Sequence, residues 1–255
     1  MLRLVDPQGF GIHGVLALNA RVTGPPQDLK IDGKIDLGDI HRWDLLPDGQ
    51  SITLPVTGSL NLRAETLELA TANAPAFKMN VHVRHYLSQP ELDATASLQE
   101  MPVESWMQTA RHMGVTLPEK LIVEGTVSGT VEYTSASGLA GAFAVSESTF
   151  KMPDPPDVVA SGATLAFKEG AVSLTPTKIA AGSEGVANVE GSTTLTYPRT
   201  LELRVTSRGI DAQVMKTFGL PPLPLPGGAT TGTWRGVVRL RDGEWVGDTP
   251  VKLPK

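Results

Sequence analysis

Apolar and polar residues alternate one by one along most of this sequence. The segment 29–37 has the cleanest pattern, in which Leu29, Ile31, Gly33, Ile35 and Leu37 alternate with Lys30, Asp32, Lys34 and Asp36. A β-strand turns successive side chains to opposite faces, so a period of two predicts a strand with one apolar and one polar face. The segment 77–83 repeats the pattern, and its apolar positions are Phe77, Met79, Val81 and Val83.

The same alternation predicts strands in most of the remaining sequence. They fall near positions 12–22, 58–64, 66–70, 92–98, 121–133, 141–150, 163–167, 172–175, 178–181, 185–197, 201–205 and 234–240. The chain also holds 26 glycines and 20 prolines, while 40% of its residues are still apolar. This composition is typical of many short strands joined by turns and does not indicate disorder.

One segment has the three- and four-residue spacing of an amphipathic helix. Its apolar stripe consists of Val103, Trp106, Met107, Ala110 and Met113. Pro102 suits the first turn of a helix, and Gly114 supplies the left-handed residue that ends one. Two shorter helical segments are predicted at 39–46 and 210–218.

These elements predict an all-β protein, built as a single elongated, mainly antiparallel sheet over residues 1–255 with two or three short helices at its corners. Many strands have one apolar face, and the helices are too short to cover them all. A second sheet can cover such faces in a sandwich. The other solution is a single sheet curled like a taco into a groove with its apolar side inside. The sequence leaves both solutions open, and the groove is our prediction.

A curled apolar face would have to hold something apolar, because exposed apolar patches beyond a few hundred Å² mark binding sites. Acyl chains suit such a surface, since they offer area and need no directional hydrogen bonds. The residues predicted to line the groove and contact lipid are Leu29, Ile31, Ile35, Leu37, Phe77, Met79, Val81, Val83, Leu121, Val123, Val127, Leu201, Leu203 and Val205. Their polar neighbours, among them Lys34 and His82, are predicted to face water.

Charge and composition exclude several classes of protein. A net charge of −5 argues against a general affinity for nucleic acid. Cysteine is absent, which rules out disulfides and cysteine metal sites. No apolar run approaches the roughly 20 residues that span a bilayer, and the first residues lack the apolar core of a signal peptide. Either the protein is cytoplasmic or this chain lacks its true N-terminus. We expect the second, a fragment of a longer protein, because the first predicted strand begins almost at once and no capping element precedes it.

The sequence offers no recognisable catalytic constellation. The five histidines are scattered, and His82 and His85 would point to opposite faces of a strand, which makes them a poor metal pair. There is no nucleophile elbow, P-loop or dinucleotide fingerprint. Tryptophans can stack on sugars, but Trp106 lies on the apolar stripe of its helix, which favours packing. We predict no catalytic residue, no metal and no cofactor.

Three segments of the sequence carry recognisable motifs. The main motif is the segment 90–141, and shorter ones are Asp-Ile-His-Arg-Trp-Asp-Leu-Leu at 39–46 and Gly-Thr-Trp-Arg-Gly at 232–236. The characteristic residues of the main motif are Pro102, Trp106, Gly114, Leu117, Pro118, Gly125, Gly129, Gly138, Leu139 and Gly141. Together these motifs resemble the C-terminal part of AsmA-like proteins.

The resemblance implies a bridge-like lipid-transfer protein of the bacterial envelope. Such a protein would lie in the periplasm, anchored to the inner membrane through an N-terminal helix that this chain lacks. It would conduct lipid acyl chains between membranes and support outer-membrane assembly and lipid homeostasis. Its partners would be lipids and envelope membranes, with no nucleic acid, and the family carries no catalytic residues. Two other classes stay open from the residues themselves: a structural or adhesive β-repeat with no ligand, and a carbohydrate-active enzyme.

Overall fold

A computed structural model describes residues 12–42, 51–112, 120–151, 157–195, 200–211, 231–241 and 244–245. Within these ranges the chain forms seventeen strands and one helix. Every strand pair whose register is resolved is antiparallel. The predicted all-β antiparallel fold is confirmed.

The elements are numbered in the order in which they occur along the chain. In order they are β1 (Ile12–Thr23), β2 (Leu29–Arg42), β3 (Ser51–Asn61), β4 (Thr66–Thr71), β5 (Phe77–Arg84), β6 (Glu91–Pro102), α1 (Val103–His112), β7 (Ile122–Glu124), β8 (Thr126–Thr134), β9 (Gly138–Val145), β10 (Ser148–Lys151), β11 (Val158–Ala160), β12 (Ala163–Lys168), β13 (Ala171–Ala181), β14 (Gly185–Thr194), β15 (Thr200–Asp211), β16 (Thr231–Arg241) and β17 (Glu244–Trp245).

The chain divides into two compact units. Unit 1 comprises the described residues of Met1–Met101, Trp106–Val115 and Ser128–Gly141. Its strands β1 to β6 form a meander, because each strand pairs with the next one along the chain. β8 then pairs with β6. The buried apolar residues of this unit are Ile31, Val56 and Leu98.

Unit 2 comprises the described residues of Pro102–Ser105, Thr116–Val127 and Ala142–Lys255. β10 pairs with β7 and β11, and β11 and β12 both pair with β13. From β13 to β17 the strands again form a meander. The buried apolar residues of this unit are Leu121, Val123, Val127, Val158, Ala181, Ala187 and Val205.

The strands predicted near 58–64 and 66–70 correspond to the end of β3 and to β4, which a turn ending at Glu65 joins into a hairpin. The side-chain oxygen of Asn61 accepts hydrogen bonds from the backbone N–H groups of Arg63 at 3.0 Å and Ala64 at 2.8 Å. Glu65 then adopts a φ of 53°, which brings the chain back into β4. Asparagine favours such turns because its short side chain mimics a backbone acceptor.

The predicted amphipathic helix is confirmed as α1. Pro102 ends β6, and Glu104 lies in the first helical turn, where a negative charge complements the helix dipole. Val103 and Met107 are partly buried, whereas Trp106 is exposed. Met113 and Gly114, the predicted end of the helix, lie outside the described residues.

The helix predicted at 39–46 is wrong over its first half, because β2 continues as a strand to Arg42. The pairing with β1 matches Val15 to Gly38 but His13 to His41, so β2 holds one extra residue between these pairs. Such a β-bulge shifts the alternation by one position. The spacing of Ile40 from the residues before it therefore departs from two without any helix. Residues 43–46 lie outside the described part of the chain.

Several other boundaries differ from the prediction. The strand predicted at 121–133 is divided into β7 and β8, and the strand predicted at 141–150 is divided into β9 and β10. The helix predicted at 210–218 is wrong at its start, since Ile210 and Asp211 belong to β15, and its other residues lie outside the described ranges. The two strands predicted at 172–175 and 178–181 form the single strand β13. A register shift between Leu174 and Thr177 interrupts its alternation, which explains why the sequence pattern broke there.

We expect Gly125→Ala to destabilise unit 2. Gly125 separates β7 from β8 with a φ of 135°, which L side chains rarely adopt, and an added Cβ would collide with the buried Ser148 hydroxyl. Strain of this kind costs about 1–3 kcal/mol. Chemical denaturation followed by circular dichroism measures the change. Gly162→Ala is the matched control, because its φ is not positive and its closest contact would be 3.3 Å. Equal free energies of unfolding for the two variants would contradict the argument.

Candidate functional site

The strands of unit 1 have their apolar side chains on one common face. The registers align these residues in transverse rows, because paired residues of neighbouring strands share a face. The rows are Leu16–Leu37–Ile52, Leu18–Ile35–Leu54, Val22–Ile31–Gly58–Leu69–Val81–Ala94 and Leu29–Leu60–Leu67–Val83–Leu92. We call this set the apolar face of unit 1. It brings the predicted groove residues of β2 and β5 onto the same surface, with β3 and β4 between them.

The apolar face of unit 1 is buried at Ile31, Val56 and Leu98 and open at other positions. Val56 is fully buried at 0% exposure, whereas Leu16, Leu18 and Ile52 are 52%, 51% and 53% exposed. The predicted groove residues Leu29, Ile35, Leu37, Phe77, Met79, Val81 and Val83 are each partly exposed. Large apolar side chains that share a face and keep half of their surface in water are typical of a contact surface.

The opposite face of unit 1 is polar, as the alternation predicted. Lys30, Lys34 and Lys78 are exposed. Lys30 pairs with Asp28 at 2.7 Å, and Arg84 pairs with Asp93 at 2.9 Å and with Glu91 at 3.3 Å. Ion pairs this exposed contribute little to stability. Their main consequence is that this face carries charge and the other does not.

Asp36 has the most hydrogen bonds on the polar face of unit 1. Its carboxylate accepts bonds from the Thr53 hydroxyl at 2.6 Å and the Asn19 amide at 3.3 Å, and it pairs with Lys34 at 3.1 Å. The Thr53 hydroxyl and the Lys34 ammonium lower the pKa of Asp36 below its ordinary value. Both groups favour the charged carboxylate over the protonated form.

We expect Thr53→Ala to raise the pKa of Asp36 towards its ordinary value, because the Thr53 hydroxyl is the largest cause of the lowering. A lowered carboxyl pKa stabilises the fold above the usual aspartate range, and this contribution is lost as the pH falls through the folded-state pKa. The free energy of unfolding of the variant should therefore fall less steeply as the pH is lowered. NMR titration of the Asp36 carboxyl measures the shift. Thr57 is exposed and lies on the same strand as Thr53, but it is paired with Asp32. Thr57→Ala should therefore leave the pKa of Asp36 unchanged. An unaltered titration in Thr53→Ala would contradict the prediction.

Unit 2 also has an apolar face, but its predicted residues are more deeply buried. Leu121, Val123, Val127 and Val205 are buried, while Leu201 and Leu203 are partly exposed. Leu201 pairs with Leu240 and Thr193, and Leu203 pairs with Val238 and Gly191. Val123 lies in the same face through its pairing with Phe150. We call this set, with the residues that share its parity, the apolar face of unit 2.

The polar face of unit 2 carries a small ionic network. Glu202 accepts from Arg239 at 3.1 Å and pairs with Arg204 at 3.3 Å, and Arg204 reaches Glu190 at 3.6 Å. The Arg239 guanidinium is the main reason that the pKa of Glu202 lies below its ordinary value. These partners satisfy one another on an exposed surface and form no cleft.

The sequence analysis missed several members of the apolar face of unit 1. They are Leu16, Leu18, Val22, Ile52, Leu54, Leu60, Leu67 and Leu69. Leu67 and Leu69 alternate with Thr66 and Glu68, so the signal was present in a strand that the sequence did predict. Residues 51–57 were not predicted as a strand at all. Pro55 lies among them, and proline normally argues against a strand interior.

The described residues show no group of three or more metal-ligating side chains. In the same part of the chain no helix is long and apolar enough to cross a membrane. Comparisons with protein-family models, with curated proteins and with solved structures find no significant match. The two apolar faces are therefore the candidate site, and the functional argument depends on their physical properties.

Proposed function

We propose that the apolar face of unit 1 binds lipid acyl chains and conducts them between membranes. The observation that carries the proposal is the set of large apolar side chains, Leu16, Leu18 and Ile52, which stay about half exposed on a face without charge. The surface of a soluble protein rarely has such residues side by side unless they contact something apolar.

Acyl chains match the chemistry of this face better than a polar ligand does. The rows contain Leu, Ile, Val, Ala and Gly, and the charged residues of the same strands lie on the opposite face. A hydrocarbon chain needs contact area alone, and each Å² that it removes from water contributes roughly 25 cal/mol. Adjacent rows lie at nearly constant spacing along the strands, so a chain has similar contacts as it moves from one row to the next.

The cellular setting of the proposal depends on the resemblance to AsmA-like proteins. We infer that the protein works in the periplasm at the inner membrane and supports outer-membrane assembly and lipid homeostasis. Its partners are then phospholipids and the envelope membranes. The apolar faces are compatible with this role, and they involve no catalytic residue.

Organic extraction of the purified protein, followed by mass spectrometry, tests the proposal. We expect phospholipids or other acyl lipids in the extract, at amounts above those of an unrelated β-protein purified from the same cells. The decisive control is delipidated protein mixed with vesicles, which should take up lipid again. A protein that yields no lipid and takes up none would be a structural scaffold, and the proposal would be wrong.

A further inference from the structure

Four small residues lie together on the apolar face of unit 2. The register pairs Ala187 with Ser207 across β14 and β15, and Ala181 with Gly185 across β13 and β14. Ala181, Gly185 and Ala187 are all buried. Larger residues flank Ser207, since Val205 lies two positions before it and Trp234 is its partner on β16. The four small residues Ala181, Gly185, Ala187 and Ser207 are called the small-residue patch below.

Ser207 places a hydroxyl group without a partner in this patch. The side chain is 4% exposed, and its Oγ makes no hydrogen bond. Two other hydroxyls of unit 2 are equally buried, but both are satisfied. Ser148 donates to the carbonyl of Ser146 at 3.0 Å, and Thr177 donates to the carbonyl of Thr175 at 2.9 Å.

Like Thr177, Ser207 lies close to an interrupted ladder. Its pairing with β14 is regular from Val186–Arg208 to Thr193–Leu201, but the register towards β16 shifts between Arg208 and Ile210. The Ser207 hydroxyl nevertheless makes no hydrogen bond. A buried, unpaired hydroxyl costs about 1–3 kcal/mol, and such a group calls for an explanation.

We propose that Ser207 donates a hydrogen bond to the ester carbonyl of a lipid whose acyl chain lies on the apolar face of unit 2. This inference depends on the proposed function and extends lipid binding from the apolar face of unit 1 to that of unit 2. A carbonyl attached to an acyl chain suits the patch, because it accepts one bond and carries no charge. The cations of the same strand, Arg204 and Arg208, are exposed on the opposite parity and leave the patch neutral. Because Ser207 is only 4% exposed, the contact requires the patch to open when the lipid binds.

Competition between two lipids that differ only in their linkage tests this contact. A fluorescent phosphatidylcholine is bound to the full chain and displaced by dioleoyl phosphatidylcholine or by its ether-linked counterpart, which lacks the carbonyls. We expect the ester lipid to displace the fluorescent lipid at about two- to tenfold lower concentration than the ether lipid does. This ratio corresponds to the free energy of one neutral hydrogen bond. Ser207→Ala should abolish this preference while its affinity for the ether lipid stays the same. Thr206→Ala, an exposed change on the opposite parity, should keep the preference.

The same variant gives a second, independent measurement. Ser207→Ala removes the unpaired hydroxyl, so its melting temperature without lipid should rise. A lower or equal melting temperature would show that the hydroxyl has a partner within the protein, which would overturn the inference. Equal ester preference in wild type and Ser207→Ala, or no preference in wild type, would also overturn it and leave the proposed function intact. If the fluorescent lipid does not bind the wild type at all, the proposed function and this inference both fail.

Discussion

Ile35→Asp and Val81→Asp should each reduce the lipid bound by the purified protein severalfold while the sheet stays folded. Both residues lie on the apolar face of unit 1 and are only partly buried, so the backbone ladder can persist around a new carboxylate. Acyl chains in contact with that carboxylate would remove it from water, which costs several kcal/mol unless it is neutralised. Quantitative lipid extraction measures the loss, and far-UV circular dichroism confirms that the strands remain.

The polar face provides the controls for this prediction. Lys78→Asp places the same carboxylate on β5, opposite Ser97, where it stays in water, and should leave bound lipid unchanged. Photo-crosslinking residues at positions 35 and 81 should label lipid, whereas those at 34 and 82 should not. Equal labelling at all four positions, or labelling at 34 and 82 alone, would rule out the assignment of lipid to the apolar face.

Val56→Asp should prevent unit 1 from folding. Val56 is the one fully buried large side chain among the described residues, and it lies between Gly33 and Thr71 on the neighbouring strands. A carboxylate at this position would have neither water nor a cation beside it, and such changes cost about 4 kcal/mol or more. Thermal unfolding and limited proteolysis should show the loss of the β1–β6 strands.

Ile52→Asp is the matched variant, because Ile52 lies on the same strand and the same face but is half exposed. We expect it to change the free energy of unfolding by less than about 1 kcal/mol, as surface changes normally do, and to reduce bound lipid instead. Together the two variants separate the folding role of the face from its binding role. A melting temperature of Val56→Asp close to that of the wild type would show that Val56 is not part of a packed core.

The alternation of residues predicted most of the strands because one face of each strand is wetted and the other is not. The pattern at 29–37 and 77–83 required nothing beyond the sequence, and the helix at 103–112 followed from its own spacing. Pro55 hid the strand at 51–57, and two further errors lie where the backbone departs from regularity. A β-bulge in β2 made residues 39–42 look helical, and a second one divided β13 in the prediction. A bulge depends on the partner strand, which a local pattern does not contain.

The sequence likewise predicted only some of the residues of the candidate site. Alternation selected Ile31 and Val81, but only the register shows that Gly58 and Leu69 lie between them in one row. Alternation also does not predict how deeply a residue is buried, because Val56 and Ile52 have the same parity and very different exposure. The burial of Ser207 was not predicted, because a serine in an alternating strand is normally exposed to water. Its buried state depends on neighbours far away in the sequence.

The meander of unit 1 has a consequence for how this chain assembles and how it can change in length. Each strand from β1 to β6 meets its successor across a short connection, so the loops that must close during folding are small and their entropy cost is low. A hairpin formed early can act as a template for the next strand as it emerges from synthesis. Because no strand threads between two others, a hairpin gained or lost at an end leaves the remaining pairings intact. A sheet of this kind can therefore be lengthened by duplication, two strands at a time, without inventing a new fold.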